Sequence, residues 1–211
     1  MAALLSASKN ETEKVAFYAA DCQSMNVEVL PPDVNSSVWD FSIEDRSEQK
    51  PAIRFGLGAV KNVGLNPVTL ILEARRDGQF KDLTDFAHRV DLRQVGKRSL
   101  ECLIKVGALD RFGDRKAMLE GLDTILAVSA SHFKAILSGQ LSFFGGIQGM
   151  EEQITLPSTM GLDRREQLEW EKELIGLYVS DHPLTSYLPI LKQKVTHFYA
   201  QLNEARQKET V

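Results

Sequence analysis

The residues best placed to do chemistry are cations set beside glycine turns. Gly58-Ala59-Val60-Lys61-Asn62-Val63-Gly64-Leu65 is a helix-sized piece that runs into an Asn-Val-Gly turn. A helix should follow, with Asn66 as cap, Pro67 at its first position, Val68, Leu70, Ile71, Leu72 and Ala74 on its apolar side, and Asp77-Gly78 as its end. A helix, a tight glycine-containing turn and a second helix form a helix-hairpin-helix. The glycine lets backbone approach a duplex, and the unpaired N–H groups at the second helix start face a phosphate. Such a contact reads the backbone and not the bases. A second copy is expected where the helix through Ser99, Cys102 and Lys105 reaches Gly107 and Asp110 to Arg115 lead into the next helix. The candidate DNA-contacting residues are Lys61, Asn62, Val63, Gly64, Lys97, Arg98, Lys105, Gly107, Arg111 and Arg115. A lone glycine turn more often ends a helix than binds anything; two of them can pack as a pseudo-twofold unit across a minor groove.

Charge supports the same block. The chain of 211 residues has a net charge of -4, yet residues 51–119 hold 13 Lys and Arg against 8 Asp and Glu, an excess of +5 inside an otherwise acidic chain. A phosphate-facing module between parts that do not touch phosphate has this footprint, and so does a solvated face with a chance excess.

Other reactive side chains point to less. Cys22 and Cys102 stand far apart, which excludes a disulfide framework or a thiolate-rich zinc site and suits a reducing compartment. His88, His132 and His197 share no ligand spacing, so no metal site is expected. His182 beside Asp181 has no nucleophile near it and reads as a helix-terminating residue, while Glu166, Glu169, Glu171 and Glu173 read as a solvated helix face beside a core-packing Trp170. No glycine-rich phosphate loop with Lys-Ser or Lys-Thr is present. No window has the ~20 apolar residues of a membrane span, and the first residues lack a signal peptide's basic flank, so a cytoplasmic protein is expected.

The elements that must position these residues are mainly α, with a small antiparallel β-sheet near the N-terminus and a tandem helix-hairpin-helix core. Helices are predicted over 11–25, 66–77, 83–89, 97–105, 115–137 and 164–179. Short runs of β-branched or aromatic residues at 27–30, 39–43 and 53–57 give the sheet. Residues 138–161, rich in Gly and Ser, form an extended connection with one apolar island, Gln140-Leu141-Ser142-Phe143-Phe144, between Gly139 and Gly145-Gly146. Two adjacent bulky side chains there have no core of their own, so a partner's groove is a reasonable destination, and folding back onto the helices is the other.

Several strings together resemble one family: Val29-Leu30-Pro31-Pro32-Asp33-Val34-Asn35, Asp40-Phe41, Ile53-Arg54-Phe55-Gly56-Leu57 through Gly64, Phe80 to Phe86, Lys97-Arg98 to Ala108, Gly139 to Phe144, and Trp170 through Leu184. They are similar to the bacterial C-family replicative DNA polymerases, the DNA polymerase III alpha subunits. The resemblance implies an internal fragment of a larger enzyme, with 1–57 ending the fingers, 58–137 the tandem hairpins, 138–162 a linker and 163–211 leading toward an OB fold. It implies that Gln140, Leu141, Ser142, Phe143 and Phe144 dock on a sliding clamp, with Phe143 where leucine is usual. The catalytic aspartates and their magnesium ions belong to a palm upstream, so the fragment itself has no catalytic residues and no cofactor. Implied partners are primer-template duplex, the clamp and other polymerase III holoenzyme subunits, with no membrane. A helix-hairpin-helix DNA-binding or clamp-interaction scaffold outside any polymerase is the competing reading, and Pro31-Pro32-Asp33-Val34-Asn35 argues against it because a bare hairpin module has no need of it.

Overall fold

A computed structural model describes residues 1–46, 50–138, 153–159, 161–181 and 183. Nine helices lie among them: α1 (Ala2–Ala7), α2 (Thr12–Ser24), α3 (Leu65–Ala74), α4 (Leu83–Arg89), α5 (Leu92–Val95), α6 (Lys97–Lys105), α7 (Arg115–Glu120), α8 (Leu122–Leu137) and α9 (Arg164–Ile175). Capping chemistry sets many of their starts. Asp82, Asp91, Asp114 and Asp163 each accept a first-turn backbone N–H, opening α4, α5, α7 and α9. Asn26, directly after the helix predicted over 11–25, stops it with φ 61°, a left-handed conformation that asparagine tolerates.

Three strands, β1 (Val29–Leu30), β2 (Ser42–Glu44) and β3 (Ala52–Arg54), form one sheet in the order β1-β3-β2. β2 runs antiparallel to β3, with Ile43 opposite Ile53, but β1 runs parallel to β3, with Val29 opposite Ile53. The sheet is therefore mixed, which corrects the antiparallel expectation. Two chain reversals return β3 in the direction of β1. Ala52 and Ile53 are buried, whereas β1 and β2 are only partly covered, so β3 takes the centre. Arg54 clasps Glu44 across the β3–β2 pair through Nε at 2.6 Å and Nη2 at 2.8 Å, and this contact holds the Glu44 carboxyl below its ordinary value.

One apolar cluster runs from Leu5 to Ile175 and crosses residue 57 without a break. Its largest members include Phe55, Phe80, Phe86, Leu100, Leu103 and Met118, with Phe80 and Phe86 meeting edge to face at 5.0 Å. The helix predicted over 115–137 is two helices divided at Gly121. Beyond the connection the returning chain lies back on the cluster: the Ile154 N–H donates to Thr84 Oγ1, and Ile154 and Leu156 pack against the core. Met1–Val179 form one compact unit; the second, Ser180–Val211, lies almost wholly outside the described residues. Among the described residues no helix is long and apolar enough to cross a membrane.

Asn35, buried in the loop after β1, ties that loop to the approach to α4. Its Nδ2 donates to the Phe80 carbonyl and its Oδ1 accepts the Phe80 N–H, both at 2.8 Å. Asn35→Ala strips both partners from buried backbone groups, each at a cost of about 1–3 kcal/mol. A thermal-melt comparison should show a lowered Tm.

Candidate nucleic-acid interface

The first hairpin follows from one buried pair. After a 3-10 turn at Leu57–Ala59, Val60 and Val63 sink into the core, which leaves Lys61, Asn62 and Gly64 exposed around them. Asn62 makes the reversal at φ 64°. Gly64 then opens α3, and no side chain caps it.

The second hairpin is built the same way but not where the sequence places it. The one-turn helix α5 ends at Gly96 (φ 83°), which opens α6, again with no side-chain cap. α5 and the turn before it are fixed from two sides. Asp91 accepts from the Arg93 backbone and guanidinium and from Gln94, while Ser129 of α8 accepts the Leu92 N–H and donates to the Val90 carbonyl. The two glycine-led helix starts meet: Ser99 Oγ donates to the Asn62 carbonyl at 3.0 Å, and Asn62 Nδ2 reaches Cys102 Sγ at 3.7 Å. Burial pushes the Cys102 thiol above its ordinary value, so it serves as packing here.

The structure thus brings Lys61, Asn62, Val63, Gly64, Lys97 and Arg98 into one neighbourhood, with the Val63 side chain turned into the core. Neither a hydrogen bond nor an ion pair engages the Lys61 or Arg98 side chain among the described residues. Lys97 pairs with Asp123 at 2.5 Å, both more than half exposed, an arrangement worth little in water. Gly96 and Ser99 were absent from the expected set. The signal for them was available: an aspartate cap, apolar Leu92 and Val95 three apart, then a glycine directly before a basic helix start.

The remaining candidates are committed elsewhere. Lys105 pairs with Glu101 at 2.6 Å and stands 5.4 Å from the centroid of the half-buried Trp170. Arg111 lies 3.8 Å from Asp33. Arg115 is buried: Nε and Nη2 each donate to Asp110 at 2.7 Å, and Nη1 donates to the Lys105 carbonyl at 3.0 Å and to Glu171 at 3.2 Å. Gly107 exists for this arginine. With φ 82°, it has no side chain to give, and a Cβ there would lie 2.1 Å from Arg115 Nη2. The turn at Gly107 is accordingly a socket for Arg115 and presents no second hairpin.

Glu171 corrects the expectation of a solvated acidic face. It is 1% exposed, because it lies three residues after Leu168 and three before Leu174, on the buried stripe of α9; Glu166, Glu169 and Glu173 are exposed as predicted. His88 and His132 come together with rings stacked 4.2 Å apart and 11° from parallel. Their in-plane nitrogens do not converge, and among the described residues no group of three or more His, Cys, Asp or Glu is arranged to hold a metal ion. His182, His197 and Gln140, Leu141, Ser142, Phe143 and Phe144 lie outside the described residues.

Two turns of this construction, each a short helix, a tight reversal and a glycine-led helix, define a helix-hairpin-helix protein. A family model described as a helix-hairpin-helix motif matches residues 26–119, the stretch that contains both. Over nearly its whole length the chain is also similar to the DNA polymerase III subunit alpha of Vibrio cholerae (40% identical over 209 residues, 97% of this chain and 17% of that protein), of Thermus aquaticus (41% over 205 residues, 97% and 16%) and of Escherichia coli (37% over 199 residues, 92% and 17%). The chain belongs to the DNA polymerase III alpha family, and spans 16–17% of the length of these relatives.

The second turn should loosen in acid. Hydrogen bonds from Arg93, then from Gln94, outweigh burial and hold the Asp91 carboxyl at about 2, below its ordinary 3.8. A depressed carboxylate contributes its full stability above the unfolded-state value and loses it as pH falls toward the folded one. In Asp91→Asn the charge is gone, so the Tm gap between wild type and variant should be widest above about pH 4 and should close as pH is lowered toward about 2.

Proposed function

We propose that the paired hairpins hold the sugar-phosphate backbone of a primer-template duplex as part of a replicative DNA-directed DNA polymerase. The observation that carries this reading is the Ser99 to Asn62 hydrogen bond, which joins two uncapped, glycine-led helix starts flanked by the unpaired cations Lys61 and Arg98. Helices α4, α5, α7 and α9 carry an aspartate at the cap, which would repel an anion; α3 and α6 carry glycine. Free N–H donors, the positive end of each helix and uncommitted cations together suit phosphate, and none of them reads a base edge. The polymerase context rests on relatives named DNA polymerase III subunit alpha. The share proposed for the described residues is positioning: keeping the duplex in register while chemistry proceeds on other residues.

Fluorescence anisotropy of a labelled primer-template duplex against salt tests the reading. Binding should weaken steeply as salt rises. Charge reversal at Lys61, Lys97 and Arg98 should cost affinity and flatten the slope by about one unit for each phosphate no longer neutralised. Arg115→Gln should lower Tm, because that guanidinium is satisfied internally by Asp110 and Glu171. Salt-insensitive binding, or no response to the three reversals, would overturn the duplex assignment.

The second part of the reading concerns the connection. Gln140, Leu141, Ser142, Phe143 and Phe144 would tether the chain to a sliding clamp, so that a duplex released from the hairpins is recaptured intramolecularly. Its support is sequence: two phenylalanines between glycines, in the order the family resemblance implies. Gln140→Ala combined with Phe144→Ala should abolish clamp capture in surface plasmon resonance while duplex binding persists; retained capture would remove the assignment.

A further inference from the structure

We infer that Glu171 is a positioning residue for the first hairpin turn, acting through α9 to fix the conformation in which Lys61 and the start of α3 meet a phosphate. This role rests on the duplex reading above.

The argument begins with a buried carboxylate. Glu171 Oε1 accepts from Arg115 Nη1 at 3.2 Å and Oε2 accepts the Val179 N–H at 2.9 Å. Arg115 is in turn held by Asp110 and by the Lys105 carbonyl at the end of α6. A charge taken out of water this completely is tolerated only where its partners stay in place, so the pair locks the middle of α9 against α6 and the start of α7. One turn further on, the carbonyl of Leu174 lacks an intrahelical donor, as carbonyls at a helix end do. It accepts the backbone N–H of Lys61 at 3.0 Å.

That bond fixes the residue immediately before Asn62, the one that carries the left-handed reversal of the hairpin. With its N–H held inward, Lys61 has only its side chain to offer outward, and the donors at the start of α3 keep their direction. The end of α9 is seated just as firmly. Gly176, at φ 80°, packs so tightly on the start of α2 that a Cβ there would lie 1.8 Å from Thr12 Cγ2. Thus α9, reaching back from beyond the connection, holds the turn on which duplex contact depends. The second hairpin has further supports of its own in Asp91 and Ser129, so the effect of Glu171 falls mainly on the first.

A double-mutant cycle on the 211-residue chain separates positioning from general stability. Glu171→Gln should weaken duplex affinity by about five- to ten-fold at fixed salt, and Lys61→Ala should cost much less in that background than in wild type, since both act on one turn. Arg98→Ala, on the other hairpin, should cost the same in both backgrounds. Hydrogen exchange at the Lys61 amide should accelerate in Glu171→Gln while the Leu92 amide keeps its protection. If Glu171→Gln does not fold, Gly176→Ala displaces the same end of α9 and should give the same pattern. Additive losses at Lys61 and Glu171, or unchanged exchange at Lys61, would overturn the role while leaving the duplex reading standing. Failure of the wild-type chain to bind duplex at low salt would end that reading and this role with it.

Discussion

A single arginine, withdrawn from water, holds four stretches of this chain in register. Arg115 can be buried only because Asp110 answers it with both oxygens, the end of α6 supplies a carbonyl and Glu171 brings a second carboxylate from α9. Burial works against the charge, and the two carboxylates outweigh it, so the guanidinium is held above its ordinary pKa. The geometry also dictates local sequence. The glycine at 107 makes room for the guanidinium, and the aspartate at 114 caps the helix that carries it. Apolar packing supplies most of the stabilisation of the core, but it is non-directional; the ion cluster specifies where α6, α7 and α9 must lie.

The positive excess of the middle block has two separate uses. Much of it is internal: Arg54 spans the sheet, Arg75 donates to the carbonyls of Val34 and Ser37, Arg89 to those of Ala74, Gly78 and Gln79, and Arg115 fills its socket. What remains for a partner is smaller and better localised. Lys61 and Arg98 stand unpaired near two helix starts that have been left without acidic caps. A raw charge count overstates the surface available to phosphate and, in this chain, points to the right block for a partly different reason.

Much of the fold was legible in the sequence. The 83–89 and 97–105 helices stand where periodicity places them, and Asn26 ends the first long helix. The first hairpin was legible at its turn, where Asn62 tolerates the left-handed region, but α3 starts at Leu65 behind Gly64, so Asn66 is not its cap and Pro67 is not at its first position. The second was misplaced because α5 is a single turn, too short to show a period, and because the glycine at 107 resembles a hairpin glycine until its neighbour in space is known. Glu171 was misread because composition, a run of alternating glutamates, overrode the three-residue spacing that sets it among Leu168, Leu174 and Ile175. The mixed sheet depended on which strand is most buried, a property of the whole core.

The hydrogen bond from Lys61 to Leu174 joins positions separated by more than half the chain. Closing so long a loop costs entropy that local turns do not incur, so this contact belongs to the late part of folding. As the polypeptide is synthesised, the second hairpin can be completed once α8 has emerged with Ser129, whereas the first must wait for α9. The two halves of the paired motif therefore mature at different times, and the earlier one in sequence is the later one to be finished.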